Sequence, residues 1–575
     1  MLTSFLLCSL LVLLVCAGVL SVLPDRLLRQ VAPWRPEILA VLWGGIGLLA
    51  VIGASLRVEG GVSWFPVFGM DGPTLPMLVL LAFTGGVIGK GYRGLACVLT
   101  GLAFLALSPL VFGLLSGTAL VMLADRGRQG VCLPAAIIPA CIPADSPLSP
   151  PALCFMVLLL GWAVSSQKGP QALLPAGIGL FLLGRLLAEV GVLSPIDQGL
   201  LLLSGGVVAL SGGVQALRAS SASGVASGLT SAGFGAQVLL LTLALSTSLE
   251  GAEQFRTATL LGMGAPFLAL LALLWLCKSE ATDTDTAGQP FFSSGSLVVS
   301  SVAGRIALSA ALLMLSGLPP LGGFSVLWCL LTAGELAAVG AQPVQALCTI
   351  LVLVCAALLM VLGLFGLMRI GLEALAPSRK DDGVMPQAAN AMLVLPSVVC
   401  LAVAAGVALL PGGWLALVDH LFVGTSSRDF TWAKVATIWF VDTPVSFTPA
   451  FCVLALAVCV GAVVGVGRVL RLYPFSHGTA VRAEWCDGAP VLTRAGESMA
   501  ETEESSAQIW RMLTVFLGFD GKNLAEWPVV EKTQAGGHYL QGLLFKGVAW
   551  CEAQGMVLIL LFLGAGLFLG LFAGK

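Results

Sequence analysis

Ser316-Gly-Leu-Pro-Pro-Leu-Gly-Gly-Phe324 interrupts a long apolar stretch, and its reading decides the fold. Residues from about 306 to 316, and again through Trp328 to about 338, are helix-like in their apolar content. Pro319 and Pro320 each lack a backbone N–H, while Gly322 and Gly323 admit tight turns. Inside a bilayer, the backbone groups freed by such a break must be satisfied by neighbouring protein or by a wet cavity. Discontinuous membrane helices mark ion or substrate paths in transporters. The motif (Gly317, Pro319, Pro320, Gly323, Phe324) therefore predicts a discontinuous helix near 317–324. It points to transport where titratable groups accompany it.

Working outward, the chain is 575 residues long, 58% hydrophobic and only 10% charged. Ordinary globular proteins carry roughly 25% charged residues. The composition predicts an all-α polytopic membrane protein with little room for a soluble domain. The net charge of -2 and the absence of a basic stripe give no sign of nucleic-acid binding. The first 23 residues are apolar, with no basic start and no small-residue cleavage site, and read as a retained span. A span needs about 20 apolar residues. Such runs fall near 3–23, 37–56, 74–91, 94–124 (two spans, divided at Pro109), 152–166, 171–188, 199–217, 224–248, 258–277 and 295–316. After the break come 321–339, 345–371, 390–410, 448–470 and 553–573. The total is about 15 or 16 transmembrane helices. The run 131–143 is short and holds three prolines, as a vestigial span would. Arg26, Arg29 and Arg35, then Lys90 and Arg93, then Arg126 and Arg128 alternate with poorer loops, which places the N-terminus outside by the positive-inside rule.

The fifteen cysteines are scattered through apolar runs with no Cys-x-x-Cys, so they read as small core residues rather than cluster or zinc ligands. The three histidines, His420, His477 and His538, avoid the middles of spans, which excludes paired haem ligands there. No cofactor is expected in this chain. The stretch 217–235 is rich in Gly, Ala and Ser, with Gly224-x-x-x-Gly228, a signal for close helix packing. The loop 279–288, with Glu280, Asp283 and Asp285, reads as a solvated linker. In the polar region 473–550, Glu497, Glu501, Glu503 and Glu504 precede an apolar face, as in an interfacial helix.

The break motif, with Trp328 four residues after Phe324, resembles the Gly-Leu-Pro-Pro-x-x-Gly-Phe signature of antiporter-like subunits. These occur in respiratory complex I, multisubunit cation/proton antiporters and membrane-bound hydrogenases. Glu484-Trp-Cys-Asp-Gly488 followed by Thr493, and Ala553-Gln-Gly555, are similar to segments of the hydrogenase-4 and formate hydrogenlyase membrane subunits. Gly205–Gly228 resembles the family's Gly-rich helix and the turn after it. The resemblance runs from about Pro109 to the C-terminus. It implies two inverted five-helix repeats, each with a broken helix, and protons moving along a midplane row of Glu, Lys and His. Buried ionisable groups in lipid are costly and shift one another's pKa, which suits a relay. The implied layout is N-terminal helices 1–108, a shortened first repeat 109–248, and a second repeat 249–410 with the broken helix. An additional span and loop 411–472, an interfacial segment 473–552 and a final span 553–575 follow.

The relay positions that the resemblance implies hold mostly apolar residues. The first acid falls near Ser116-Gly117, and the first central lysine near Ser165 to Lys168. The second falls at Leu180, the histidine near Ala265, and the charge after the break motif at Leu327. Lys168, Arg218, Arg369 and Glu373 are the candidate remnants of an ion path. Each also has a plainer role. Lys168 beside Gly-Pro suits a loop, Arg218 a helix end, and Arg369–Glu373 a snorkelling or subunit-contact pair at i, i+4 spacing. Arg185 and Glu189 share that spacing near a helix end, while Arg305 and Glu335 flank the break near span ends. No catalytic residue or metal ligand is expected. Three functions stand open: a membrane subunit of a hydrogenase-4 or complex I-like oxidoreductase in a bacterial-type inner membrane, a non-conducting scaffold paralogue, and a stand-alone cation/proton antiporter. In the first two, the partners are other membrane subunits and any redox centre lies in them.

Overall fold

The computed structural model describes residues 2–23, 34–56, 60–62, 65–70, 74–88, 91–123, 137, 142, 149–167, 169–190, 195–219, 222–244, 252–277, 302–317, 321–340, 343–375, 391–418, 435–440, 446–455 and 458. The expectations for 131–143 (apart from residues 137 and 142), 279–288, 473–552 and 553–575, and for all three histidines, lie outside these residues. The chain divides into two units, Met1–Thr282 with Phe291–Val453 and Met556–Lys575, and Asp283–Pro290 with Leu454–Gly555. Only residues 454, 455 and 458 of the second unit are described, as short helical pieces.

The first unit is built of helices: α1 (Leu2–Val22), α2 (Arg35–Ser55), α3 (Thr74–Ile88), α4 (Gly91–Leu105), α5 (Pro109–Leu123), α6 (Ser149–Ser166), α7 (Leu173–Val190), α8 (Pro195–Arg218) and α9 (Ala222–Ala244). Then come α10 (Ala252–Gly262), α11 (Ala265–Leu276), α12 (Val302–Leu315), α13 (Gly322–Gly340), α14 (Pro343–Leu375), α15 (Ala391–Leu409) and α16 (Pro411–Val418). Prolines set several of the starts. Pro109, Pro195, Pro343 and Pro411 each open a helix, where the missing N–H would have had no intrahelical partner. Pro109 also divides 94–124 into α4 and α5, as the sequence predicts. Two short antiparallel hairpins decorate the bundle: β1 (Gly60–Val62) with β2 (Phe65–Met70), and β3 (Ile438–Trp439) with β4 (Ser446–Phe447).

Six helical segments among the described residues are long and apolar enough to cross a membrane. They become seven if α15 and α16, bent by 96° at Leu410, are one span. Six shorter apolar helices, including α3, α4 and α5, pack with them. The chain is thus an all-α, multi-pass membrane protein. The segment Ala252–Leu276, which holds α10 and α11, is the most enclosed of these spans, 83% buried against 28% for Thr349–Met368 of α14. Its place at the centre of the bundle makes it the natural position for a site.

Helices α8 and α9 approach closely along their length because glycines meet backbone. A Cβ on Gly235 would lie 2.6 Å from Gly205 O, one on Gly212 would lie 2.8 Å from Gly228 O, and one on Gly228 would lie 2.8 Å from Ala216 Cα. The small-residue signal at Gly228 therefore marks helix packing, as expected, and the contact extends to Gly205, Gly212 and Gly235.

Candidate functional site at two broken helices

The break after α12 takes the form its glycines require. Gly317 adopts a φ of 69°, and the Ser316 hydroxyl donates back to Leu313 O at 2.8 Å. Phe324 N–H then donates to Leu321 O at 3.0 Å as α13 begins. A Cβ on Gly323 would stand 3.1 Å from Gly317 N and 3.2 Å from Met314 O, so the chain folds back on itself at the motif. Pro319 and Pro320 lie outside the described residues. Phe324 and Trp328 project onto the second hairpin. Trp328 stacks on Phe440 and Phe447, with centroids at 5.8 and 5.2 Å, and Phe324 meets Phe447 edge-on at 5.5 Å.

A second break, read from the sequence as part of one unbroken span 258–277, separates α10 from α11 at Gly262–Gly264. Pro266 is its cause: it has no N–H for the carbonyl of Gly262. Trp414 of α16 closes over the break, its Nε1–H donating to Leu260 O at 2.8 Å. Gln237 of α9 sits directly against Gly262, where a Cβ would overlap its amide nitrogen. The two breaks touch: a Cβ on Gly322 would be 2.6 Å from Ala265 Cβ and 3.7 Å from Pro266 Cδ. The Gly-Met-Gly-Ala-Pro sequence at 262–266 was the available signal, because Gly and Pro together inside an apolar run mark a break.

Beside this pair lies a small cavity with about 30 Å³ of room for water centres. Leu173, Leu174, Gly177 and Leu180 of α7 line it, with Thr84, Thr100, Phe104, Met263, Phe267 and neighbours. Its two hydroxyls are engaged within their own helices, Thr84 to Leu80 O at 3.0 Å and Thr100 to Ala96 O at 2.8 Å. The lining holds no ionisable side chain. Leu180, where the resemblance puts a lysine, is buried in this wall, and Ala265 is buried at the adjacent break. Ser116, at the position of the first acid, is also buried and donates to Phe112 O at 2.7 Å.

Of the candidate remnants, Lys168 lies outside the described residues. Arg218 ends α8, and Arg369 and Glu373 belong to the last turns of α14, while their side chains lie outside the description. Arg185 donates to Ala106 O at 2.9 Å and Leu107 O at 3.2 Å, tying α7 to the corner between α4 and α5. Glu335 is exposed on α13. Sequence reasoning missed the polar half of the central span. In α10, Gln254, Arg256, Thr257 and Thr259 are all buried. Arg35 was read only as a loop charge. It is buried at 5% exposure and donates to Ser21 O at 2.7 Å, at the end of α1. Among the described residues, no group of three His, Cys, Asp or Glu could hold a metal ion.

No protein-family model matches this sequence, and no curated protein matches it. Solved structures do match. A chain of the membrane-bound sulfane sulfur reductase (MBS), an archaeal respiratory membrane complex, superposes with a TM-score of 0.62 at 14% identity, covering 95% of this chain and 100% of that one. A chain of the Mrp complex from Dietzia sp. DQ12-45-1b gives a TM-score of 0.50 at 17% identity over 96% of this chain. This chain spans 63% of the length of that Mrp chain. A chain of respiratory complex I from Thermus thermophilus, with bound NADH, also gives 0.50 at 17% identity, covering 72% of this chain and 98% of that one. At such identities the shared property is the fold: that of the membrane subunits found in these three multisubunit complexes.

Proposed function

We propose that this chain is a membrane subunit of a multisubunit, complex I-like energy-converting assembly in a bacterial-type inner membrane. The resemblance of its segment Glu484–Gly488 to a segment of the hydrogenase-4 and formate hydrogenlyase membrane subunits supports placing it in that branch. Within that assembly it acts as a scaffold whose ancestral proton path has lost its titratable groups. The observation that carries this reading is the cavity at Leu180. A relay needs groups that exchange protons, and this wall offers only aliphatic and aromatic carbon, two thioethers and two committed hydroxyls. Other membrane subunits are its partners, and oxidation and reduction take place in them.

The test uses the purified complex in liposomes, with proton uptake followed by a pH-sensitive dye. Lys168→Ala is expected to leave translocation unchanged. Loss of translocation with an intact complex would refute the scaffold role. A second reading, conduction by a different route, is favoured by the buried polar half of α10. Its signature in the same assay is lost translocation in Arg256→Gln with assembly retained.

A further inference from the structure

The α10–α11 span carries an acceptor oxygen that its own backbone leaves over. In an unbroken helix the N–H of residue 266 would reach Gly262 O, and Pro266 has none. The ladder continues as far as Met263 N–H to Thr259 O at 3.1 Å, and Gly264 N–H then tightens onto Leu261 O at 3.0 Å, so neither donor reaches Gly262 O. Leu260 O is taken by Trp414. Gly262 O thus stands at the negative end of the α10 dipole.

Gln237 brings a carboxamide to the same residue. Measured from a Cβ position on Gly262, its Cδ lies at 3.0 Å and its Oε1 at 3.4 Å. That oxygen is shielded from solvent and accepts no hydrogen bond among the described residues. The carboxamide of Gln237 and the freed carbonyl of Gly262 thus belong to two residues in direct contact, and an acceptor oxygen on each calls for a donor in a low-dielectric interior. A single water supplies two donors, and its own oxygen can accept from Gln237 Nε2. A cation would have to shed its hydration here, and the carboxylate that α10 itself carries, Glu253, lies in that helix's first turn and not at the break. We infer that an ordered water is bound at the α10–α11 break, bridging Gln237 Oε1 and the Gly262 carbonyl. It gives the most enclosed span a polar midpoint and explains why residue 262 is glycine: any side chain would displace the amide. The inference stands independently of whether the chain conducts.

High-resolution electron cryo-microscopy of the full chain in lipid nanodiscs, once in sodium buffer and once in choline buffer, tests it. Density within hydrogen-bonding distance of both oxygens in both buffers is the expected result. Absent density overturns the inference, and so does density seen only in sodium, which would be a cation. Radiolytic hydroxyl labelling gives a second readout through Met263, which is 5% exposed and adjoins Gly262. Its labelling should fall several-fold in Gln237→Leu and persist in Gln237→Glu, which keeps an acceptor. Equal labelling in the wild type and Gln237→Leu would also overturn the inference. Should Gln237→Leu fail to fold, the wild-type maps decide alone.

Discussion

Adding one methyl group at Gly228 should separate the α8–α9 pair. A Cβ there lies 2.8 Å from Ala216 Cα, about 0.6 Å short of the 3.4 Å at which ordinary contact begins, and 2.9 Å from Gly212 O. Both obstacles are backbone, so no rotamer change relieves them. One helix must shift, and contacts along the seam are lost with it. Overpacking of this kind costs about 1–3 kcal/mol. Gly233, five residues on in the same helix, has nothing within 4 Å of its Cβ position. Gly233→Ala should therefore show only the intrinsic helix gain of about 0.5–1 kcal/mol. The two substitutions are chemically identical, so helix propensity cancels between them and the predicted gap is the overpacking cost alone, roughly 1–3 kcal/mol. Unfolding in mixed detergent–SDS micelles, followed by circular dichroism, measures that gap. Equal stabilities, within about 0.5 kcal/mol, would refute the seam. The double variant Gly212→Ala with Gly228→Ala should cost less than the sum of the singles, because one separation relieves both clashes.

Other perturbations test the contacts around the breaks. Trp414→Phe keeps an aromatic ring, though a smaller one, but leaves Leu260 O without its donor, and should cost about 1–3 kcal/mol in the same unfolding assay. Arg185→Met removes both donors to the α4–α5 corner, so hydrogen exchange should quicken across residues 103–109 while distant helices stay protected. Arg369→Ala should reduce the yield of assembled complex more than its turnover per assembled unit. Normal yield with lost turnover would show that this arginine serves the ion path instead.

The sequence carried the architecture because membrane helices announce themselves by composition. Runs such as 3–23 and 37–56 correspond to α1 and α2 within a few residues, and Pro109 marked the α4–α5 division. The broken helix at Gly317 was equally legible, since a residue at φ 69° and the close approach of Gly323 to Gly317 both need glycine. The second break was less so. Gly262 to Pro266 sit in a run apolar enough to pass for continuous helix, and hydropathy does not register a missing N–H. The buried polar face of α10 escaped for a related reason. Gln254 and Arg256 precede the apolar core of their span, and a linear reading assigns such residues to the membrane edge.

By itself, then, the sequence determined that this is a polytopic helical membrane chain with a broken helix at 316–324, and that the positions where the resemblance implies a relay hold mostly apolar residues. Only the tertiary structure decided what those positions surround. Leu180, Met263 and Phe267 come from helices far apart in the chain, and they share a wall only after α7 and the α10–α11 span have packed. The contact between the two breaks, Gly322 on Ala265, joins segments more than fifty residues apart in the same way. Hydropathy is a local sum along the chain. A cavity wall and a helix crossing depend on which faces meet, and packing settles that.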